Sequence, residues 1–215
     1  MPTLPTSTSY AAVFASALRG VRCHVDGLTL EPHVLPVADW TRPVDATDTA
    51  LLAHCRGETL DIGCGPGRMT RALAERGHAV LGIDVVPEAV RMTRRRGGVA
   101  IVRDVFEPVP GEGRWGTALL ADGNIGIGGD PHRLLARVHA LLAPGGRVVV
   151  DLAAPGAGVR TRSVRLRTDA MRSRPFPWSV VGADAIGSVA IGAGFVVHGL
   201  HTHGDRWFAV LESGR

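Results

Sequence analysis

The chain has 215 residues, with no lysine, no glutamine and a single asparagine, Asn124. Its 24 basic residues are therefore all arginine, set against 20 acidic ones for a formal net charge of +4. An arginine-only chain rich in Ala, Gly and Val reads as the composition of a GC-rich genome, so the basic balance speaks only weakly for a nucleic-acid partner. Three cysteines, Cys23, Cys55 and Cys64, are odd in number and form no CxxC pair, which argues against a disulfide framework and a zinc knuckle; no metal is expected. No apolar run approaches the roughly 18 residues needed to span a bilayer, and residues 1–10 lack the pattern of a secretory signal. The expectation is a cytoplasmic protein without a membrane partner. Hydrophobic residues at 45% and charged residues at 20% supply ample core for one full-sized domain, with no room for a second of normal size.

Beyond about residue 55, short runs of Val, Ile and Leu alternate with helix-period segments, the signature of βαβ units around a parallel sheet. The pattern predicts strands over 59–62, 78–84, 99–104, 117–122 and 147–152, nearly continuous in apolar residues because both sheet faces are covered. Helices are predicted over 69–76, 87–96 and 131–143, the last with Asp130 as N-cap and Pro131 in its first turn. Residues 195–202 and 206–212, joined by His203-Gly204-Asp205, are too close for a crossover helix and must pair as an antiparallel hairpin. A helix is expected over 182–193 and another over 10–18. Asp26-Gly27 predicts a tight hairpin between 23–25 and 28–30. Arg165 and Arg167 alternate with Val164, Leu166 and Thr168, as the solvated face of an edge strand would.

The chemistry is concentrated in Leu60-Asp61-Ile62-Gly63-Cys64-Gly65-Pro66-Gly67-Arg68, a strand running into a glycine-rich turn that opens a helix. Glycines at alternate positions allow a sharp reversal and a ligand approach that a Cβ would block. Seventeen residues after Gly67, at the end of the next strand, Asp84 is placed to accept hydrogen bonds from a ribose diol. The pairing means an adenosine. A dinucleotide site wants G-x-G-x-x-G, whereas here the third glycine position is Arg68; the acidic residue inside the motif, Asp61, suits a cationic ligand better than a pyrophosphate.

These motifs resemble those of the class I S-adenosylmethionine-dependent methyltransferases, from about Leu51 to the end of the chain. The resemblance implies a Rossmann-like, doubly wound α/β sheet, mostly parallel with a C-terminal antiparallel hairpin, as the methyltransferase domain over 51–215. Residues 1–50 are then an N-terminal helix and hairpin extension forming part of a substrate cap. It implies S-adenosylmethionine as cofactor and S-adenosylhomocysteine as product. Asp61, Gly63, Cys64, Gly65 and Gly67 would hold the methionine part, Asp84 the ribose and Val85 the adenine face. Gly82-Ile83-Asp84 and Arg103-Asp104-Val105-Phe106 match the second and third family motifs, which implies Asp104 on the adenine amine and Val105 or Phe106 over the ring. Where base-methylating members carry Asn or Asp followed by Pro-Pro and an aromatic residue, this chain has Asp122-Gly123-Asn124-Ile125-Gly126, a stretch that resembles actinobacterial methyltransferases of small molecules.

Asp122 is accordingly a candidate for both cofactor contact and catalysis, and Asn124 for catalysis and substrate contact. His201 and His203, near the last hairpin turn, are candidate bases; Trp40 and Trp178 are candidate substrate contacts. A reactive Cys64 thiol is disfavoured, its backbone being the part that faces the ligand. The expected function is methyl transfer to an oxygen, nitrogen or carbon of a small molecule, in all expectation a specialised metabolite, and the reading leaves room for a homodimer. Two alternatives are an NAD-dependent oxidoreductase and a non-catalytic S-adenosylmethionine-binding subunit.

Overall fold

The computed structural model describes residues 6–29 and 31–214; residues 1–5 and Leu30, on which parts of the leader and hairpin readings fall, lie outside them. The N-terminal part contributes β1 (Thr6–Thr8), α1 (Tyr10–Leu18), β2 (His24–Asp26), β3 (His33–Val34), α2 (Val37–Thr41) and α3 (Ala46–Leu52). Then follow β4 (Thr59–Ile62), α4 (Arg68–Glu75), β5 (Val80–Asp84), α5 (Pro87–Arg95), β6 (Ala100–Val102) and β7 (Trp115–Leu120). The chain continues with α6 (Pro131–Leu141), β8 (Leu142–Leu152), β9 (Val159–Arg167), β10 (Met171–Ser173), β11 (Phe176–Val181), α7 (Ile186–Gly192), β12 (Phe195–His203) and β13 (Arg206–Ser213).

A seven-stranded sheet runs in the order β12-β13-β8-β7-β4-β5-β6. Its pairs from β8 to β6 are parallel, and β13 is antiparallel to both β8 and β12. Period-two alternation sends successive side chains to opposite faces. Leu60, Ile62, Ala118, Leu120, Val148 and Val150 join one core with Leu134, Leu135 and Val138 of α6 and with Ile186 and Val189 of α7. Leu119, Ala121, Val149 and Phe208 enter the opposite core with Leu51 and Leu52 of α3 and Met69, Ala72 and Leu73 of α4. Strands buried on both faces are the reason the central runs read as almost unbroken apolar sequence. The helix α6 starts as expected, with the Asp130 carboxylate accepting from the Arg133 amide at 3.0 Å.

A second sheet covers the carboxyl end of the first. It runs β1-β10-β9-β2-β3, with β11 also paired to β9. Two readings change here. The arginine-rich strand β9 is central, paired with β11 over its first half and with β2 and β10 over its second, so its alternation reflects one face packed on a core and one face in solvent. The hairpin at Asp26-Gly27 also differs, because β2 pairs with β3 at His33 and Val34 and the connection is a longer loop. Gly27, at φ +90°, passes so close to β9 that a Cβ would lie 2.6 Å from the Ser163 carbonyl oxygen, and Leu28 turns into the apolar cluster beneath the second sheet. The cap thus draws on residues 6–34 and 159–181, segments far apart in the chain.

Candidate functional site

A cavity of about 710 Å³ lies between the carboxyl ends of the parallel strands and the cap, within the range of roughly 300–1,000 Å³ usual for small-molecule sites. Its floor is the loop after β4. Gly63, Gly65 and Gly67 all have positive φ. They serve different ends. A Cβ on Gly67 would lie 2.6 Å from Thr93 Oγ1, and one on Gly63 2.6 Å from Asn124 Nδ2, whereas one on Gly65 would meet nothing within 4 Å. The first two glycines let the loop pack; Gly65 leaves its backbone open to the cavity it lines.

Asp84 stands at the end of β5 with each carboxylate oxygen on a backbone amide: Oδ2 accepts from Gly65 at 2.9 Å and Oδ1 from Val86 at 2.8 Å. Both oxygens keep a second lone pair for a ligand diol. Burial pushes this carboxyl up, against the pull of those amides. Asp61 is more extreme, 1% exposed, and burial pushes it up to about 7, the Thr70 hydroxyl pulling the other way and Asp122 and Asp84 adding to the rise. A carboxyl raised this far on the cavity wall is drawn fully to its charged form when a cation arrives.

Val85, Asp104, Val105 and Phe106 line the same cavity. The Asp104 side chain accepts from the Phe106 amide at 3.0 Å, which shapes the turn after β6, and Arg133 covers the Phe106 ring at 4.2 Å. Cys64 is buried against Gly82, and burial pushes its thiol well up, so its side chain is a packing element and not a nucleophile. Trp178 borders the cavity from the cap and Trp40 from α2, stacked on Phe14 with centroids 5.4 Å apart.

Asn124 lines the cavity, yet its amide donates to the carbonyls of Ile62 and Gly63 at 2.8 and 2.9 Å. Both of its donor hydrogens hold the glycine loop against the end of β7. Asp122 has φ +52°, the one described non-glycine residue with positive φ, a conformation that costs of order 1–3 kcal/mol. Both its oxygens lie 2.7 Å from Arg68 Nη2.

That contact belongs to a network the sequence did not disclose. The Asp48 carboxylate, fully buried in α3, accepts from Arg42 at 2.7 Å and from Arg68 and Arg206; Asp151 pairs with Arg206 through Nε at 2.7 Å and accepts from the Asp122 amide at 2.6 Å. Burial penalises Asp48, but Arg68 and Arg42 outweigh it and hold the carboxyl down at about 2. Arg206, Asp151, Arg68 and Asp122 also line a second, polar pocket of about 450 Å³ beside the first. The Arg68 that stands where a dinucleotide site has glycine is thus the tie between the loop, α3 and the end of β7.

The histidines are placed elsewhere. Neither His201 nor His203 lines either cavity; His201 stacks on His54 at 4.3 Å and Phe208 at 5.1 Å, while Asp205 and Arg206 of the same hairpin reach the polar pocket. Sequence proximity to the turn could not resolve which hairpin residue points to the site. Two residues it passed over do line the main cavity: Tyr10 of α1 and His33 of β3. Burial raises the Tyr10 phenol, and the negative charges of Asp104 and Asp84 raise it further; its ring packs on Phe176 with centroids 4.8 Å apart.

Among the described residues no cluster of His, Cys, Asp and Glu forms a metal site, no helix is long and apolar enough to cross a membrane, and all three cysteines are unpaired and buried.

Comparison with known proteins accords with this geometry. Residues 59–146 match a family model described as a methyltransferase domain. The chain is 30% identical over 116 residues to a trans-aconitate 2-methyltransferase of Paracidovorax citrulli, covering 52% of this chain and 45% of that protein. It is 35% identical over 103 residues to a ubiquinone biosynthesis O-methyltransferase of Pseudomonas aeruginosa, covering 44% and 43%. The chain spans about half the length of the curated relatives it matches. In fold it is similar to a methyltransferase of Bacteroides fragilis solved with S-adenosyl-L-homocysteine, with TM-score 0.79 and 21% identity over 96% of this chain and 94% of that one. A 1,6-didemethyltoxoflavin-N1-methyltransferase of Burkholderia thailandensis follows at TM-score 0.64 and 21% identity, over 99% and 93%.

Proposed function

We propose that this chain, which carries a class I S-adenosylmethionine-dependent methyltransferase domain, transfers a methyl group from S-adenosylmethionine to a small molecule, in our reading a specialised metabolite of the cytoplasm. The observation that carries the proposal is the cavity floor. An open Gly65 backbone, the Asp84 carboxylate with two lone pairs to spare, and the buried Asp61 carboxyl fit an adenosine diol joined to a cationic chain. A dinucleotide pyrophosphate is disfavoured at this loop because Arg68 stands in place of the third glycine and its guanidinium is committed to Asp48 and Asp122.

When bound, S-adenosylmethionine supplies a methyl group on a positively charged sulfur. The protein's work is alignment and exclusion of water, a contribution of about 7–11 kcal/mol to the barrier when the geometry is right. In this reading Gly63, Gly65 and Gly67 shape the loop, Asp61 faces the cation, and Asp84 takes the ribose. Val85, Asp104, Val105 and Phe106 enclose the adenine, and Tyr10 lines the same space. Asn124 and Asp122 are positioning residues: the first locks the loop, the second anchors it through Arg68. Trp40 and Trp178 bound the acceptor space.

Calorimetry with S-adenosylhomocysteine, together with transfer of labelled methyl to metabolite extracts, tests the proposal. Binding of S-adenosylhomocysteine and label in a small-molecule fraction are expected. Stabilisation by NAD with none by S-adenosylhomocysteine overturns it.

A further inference from the structure

The cavity has two unlike halves. Asp61, Asp84 and Asp104 all lie on the floor, whereas the cap side is walled by Val25, Leu28, Leu35, Val164, Leu166 and Trp178. Among the described residues lining that half, from β2, β3, β9 and β11, His33 is the one ionisable group. An anionic acceptor would find no cation on this wall, and a flat apolar one would find aromatic and branched surfaces on several sides.

His33 is also oriented. Its Nδ1 lies 3.3 Å from the hydroxyl oxygen of Thr29, and that hydroxyl donates its proton to the Glu31 carbonyl. A threonine hydroxyl has one hydrogen, so with it committed to Glu31 the oxygen can only accept. Nδ1 must then carry the imidazole hydrogen, which leaves the lone pair on Nε2. No hydrogen bond engages Nε2 among the described residues. Asp122, the other candidate on the acceptor side, has both oxygens on Arg68.

We infer that the cap half of the cavity takes a planar, uncharged hydroxylated aromatic acceptor, and that His33 receives its hydroxyl proton at Nε2 during transfer. This rests on the methyltransferase reading above. The acceptor oxygen forms its bond to the methyl carbon while the carbon–sulfur bond of the donor breaks, the electron pair remaining on sulfur. The acceptor O–H bond breaks and its proton passes to His33, which later releases it to solvent. Sulfur loses its positive charge, and His33 gains one until it is deprotonated. Thr29 is a positioning residue that acts through the tautomer. The titratable groups on β2, the strand paired with β3, are His24 and Asp26; Asp26 pairs with Arg167 of the next strand, β9, at 3.3 Å and lies opposite Arg165, and Glu31 lies on the same segment as His33.

The experiment uses the full chain with naphthalene-2,3-diol as phenolic probe and trans-aconitate as an acidic control. Calorimetry with S-adenosylhomocysteine comes first, so that failure of the cofactor reading is seen by itself. Nitrogen-15 spectra of the imidazoles in this complex are expected to show His33 as the Nδ1–H tautomer, with Thr29→Val eroding that preference; an Nε2–H form overturns the proposal whatever the activity. The diol, and not trans-aconitate, is expected to raise the melting temperature of the S-adenosylhomocysteine complex. With labelled cofactor, His33→Gln is expected to lower kcat for the diol by about 10²–10⁴ with a much smaller change in KM, and to remove the rise of rate with pH. Added imidazole should restore part of the rate to His33→Ala. Cofactor binding without stabilisation by the diol, methylation of trans-aconitate in its place, or a His33→Gln rate equal to the parent's would each overturn the inference while leaving the methyltransferase reading intact.

Discussion

The floor of the cavity and its cap meet the same ligand space with opposite chemistry. The floor is carboxylates and backbone amides on a loop pinned from three directions, by Thr93 behind Gly67, by Asn124 across Gly63, and by Arg68 to Asp48 and Asp122. The cap is apolar, assembled from short strands at both ends of the domain, and it joins the floor through close contacts. Ser179 and Thr161 donate to the Gly129 carbonyl at 2.8 and 3.0 Å, and Gly126 packs against Ser179 and Trp178. On the proposed reading the half that would receive the cofactor is pinned and polar, whereas the half that would select the acceptor is apolar, with Tyr10 and His33 as its ionisable side chains among the described residues.

The division is broken most directly by Asp84→Ala. Loss of two charge-assisted hydrogen bonds to a ribose, each about 1.5–3 kcal/mol, should weaken S-adenosylhomocysteine by about 10²–10⁴ in calorimetry. Trp178→Ala should leave that affinity nearly unchanged, and an equal loss in both variants would erase the distinction between floor and cap. Next comes the ion network: Arg68→Met strips a partner from the buried Asp48 carboxylate and should cost about 3–5 kcal/mol in urea unfolding. A change under about 1 kcal/mol would mean that Arg42 and Arg206 suffice to hold it.

Gly126→Ala probes the seam between the two regions. The new methyl would collide with the Ser179 carbonyl and lie 2.5 Å from Trp178 Nε1, so about 1–3 kcal/mol of stability should be lost, read as a lower melting temperature. The last effect is electrostatic and lies on the floor. Asp48, held at about 2, contributes stability that is present above its unfolded value near 3.9 and is lost as pH falls through about 2. Asp61, raised to about 7, behaves in reverse: its contribution is present below about pH 4 and is lost as pH rises through about 7. Urea midpoints between pH 4 and 7 should therefore decline less in Asp61→Asn than in the parent. Parallel profiles would show that Asp61 is already ionised in the free protein.

Much of the floor was legible because its signals are local. The run from Leu60 to Gly67 needs positive φ at fixed offsets, Asp84 ends a strand whose length is set by its apolar residues, and α6 begins at an Asp-Pro pair that could do little else. The cap was not legible for the complementary reason. The strand β9 reads alike whether at an edge or in the middle of a sheet, since alternation reports only that its faces differ; β2 and β10, which make it central, lie far away or are three residues long. Nor does any local pattern join Asp48 to Arg206, 158 residues away. His201 and His203 drew notice by nearness to a turn, yet it is Arg206 of that hairpin that turns inward.

The sequence by itself determined the class of fold, the order of the elements around the parallel sheet and the glycine-rich loop after its β4 strand, because backbone conformation and strand burial are written in residue types a few positions apart. Tertiary structure alone decided which charges are paired, that Asn124 is a clasp, and that His33 and Tyr10 face the cavity. Those outcomes depend on distances between segments, and on burial strong enough to move a carboxyl to about 7 in one place and about 2 in another.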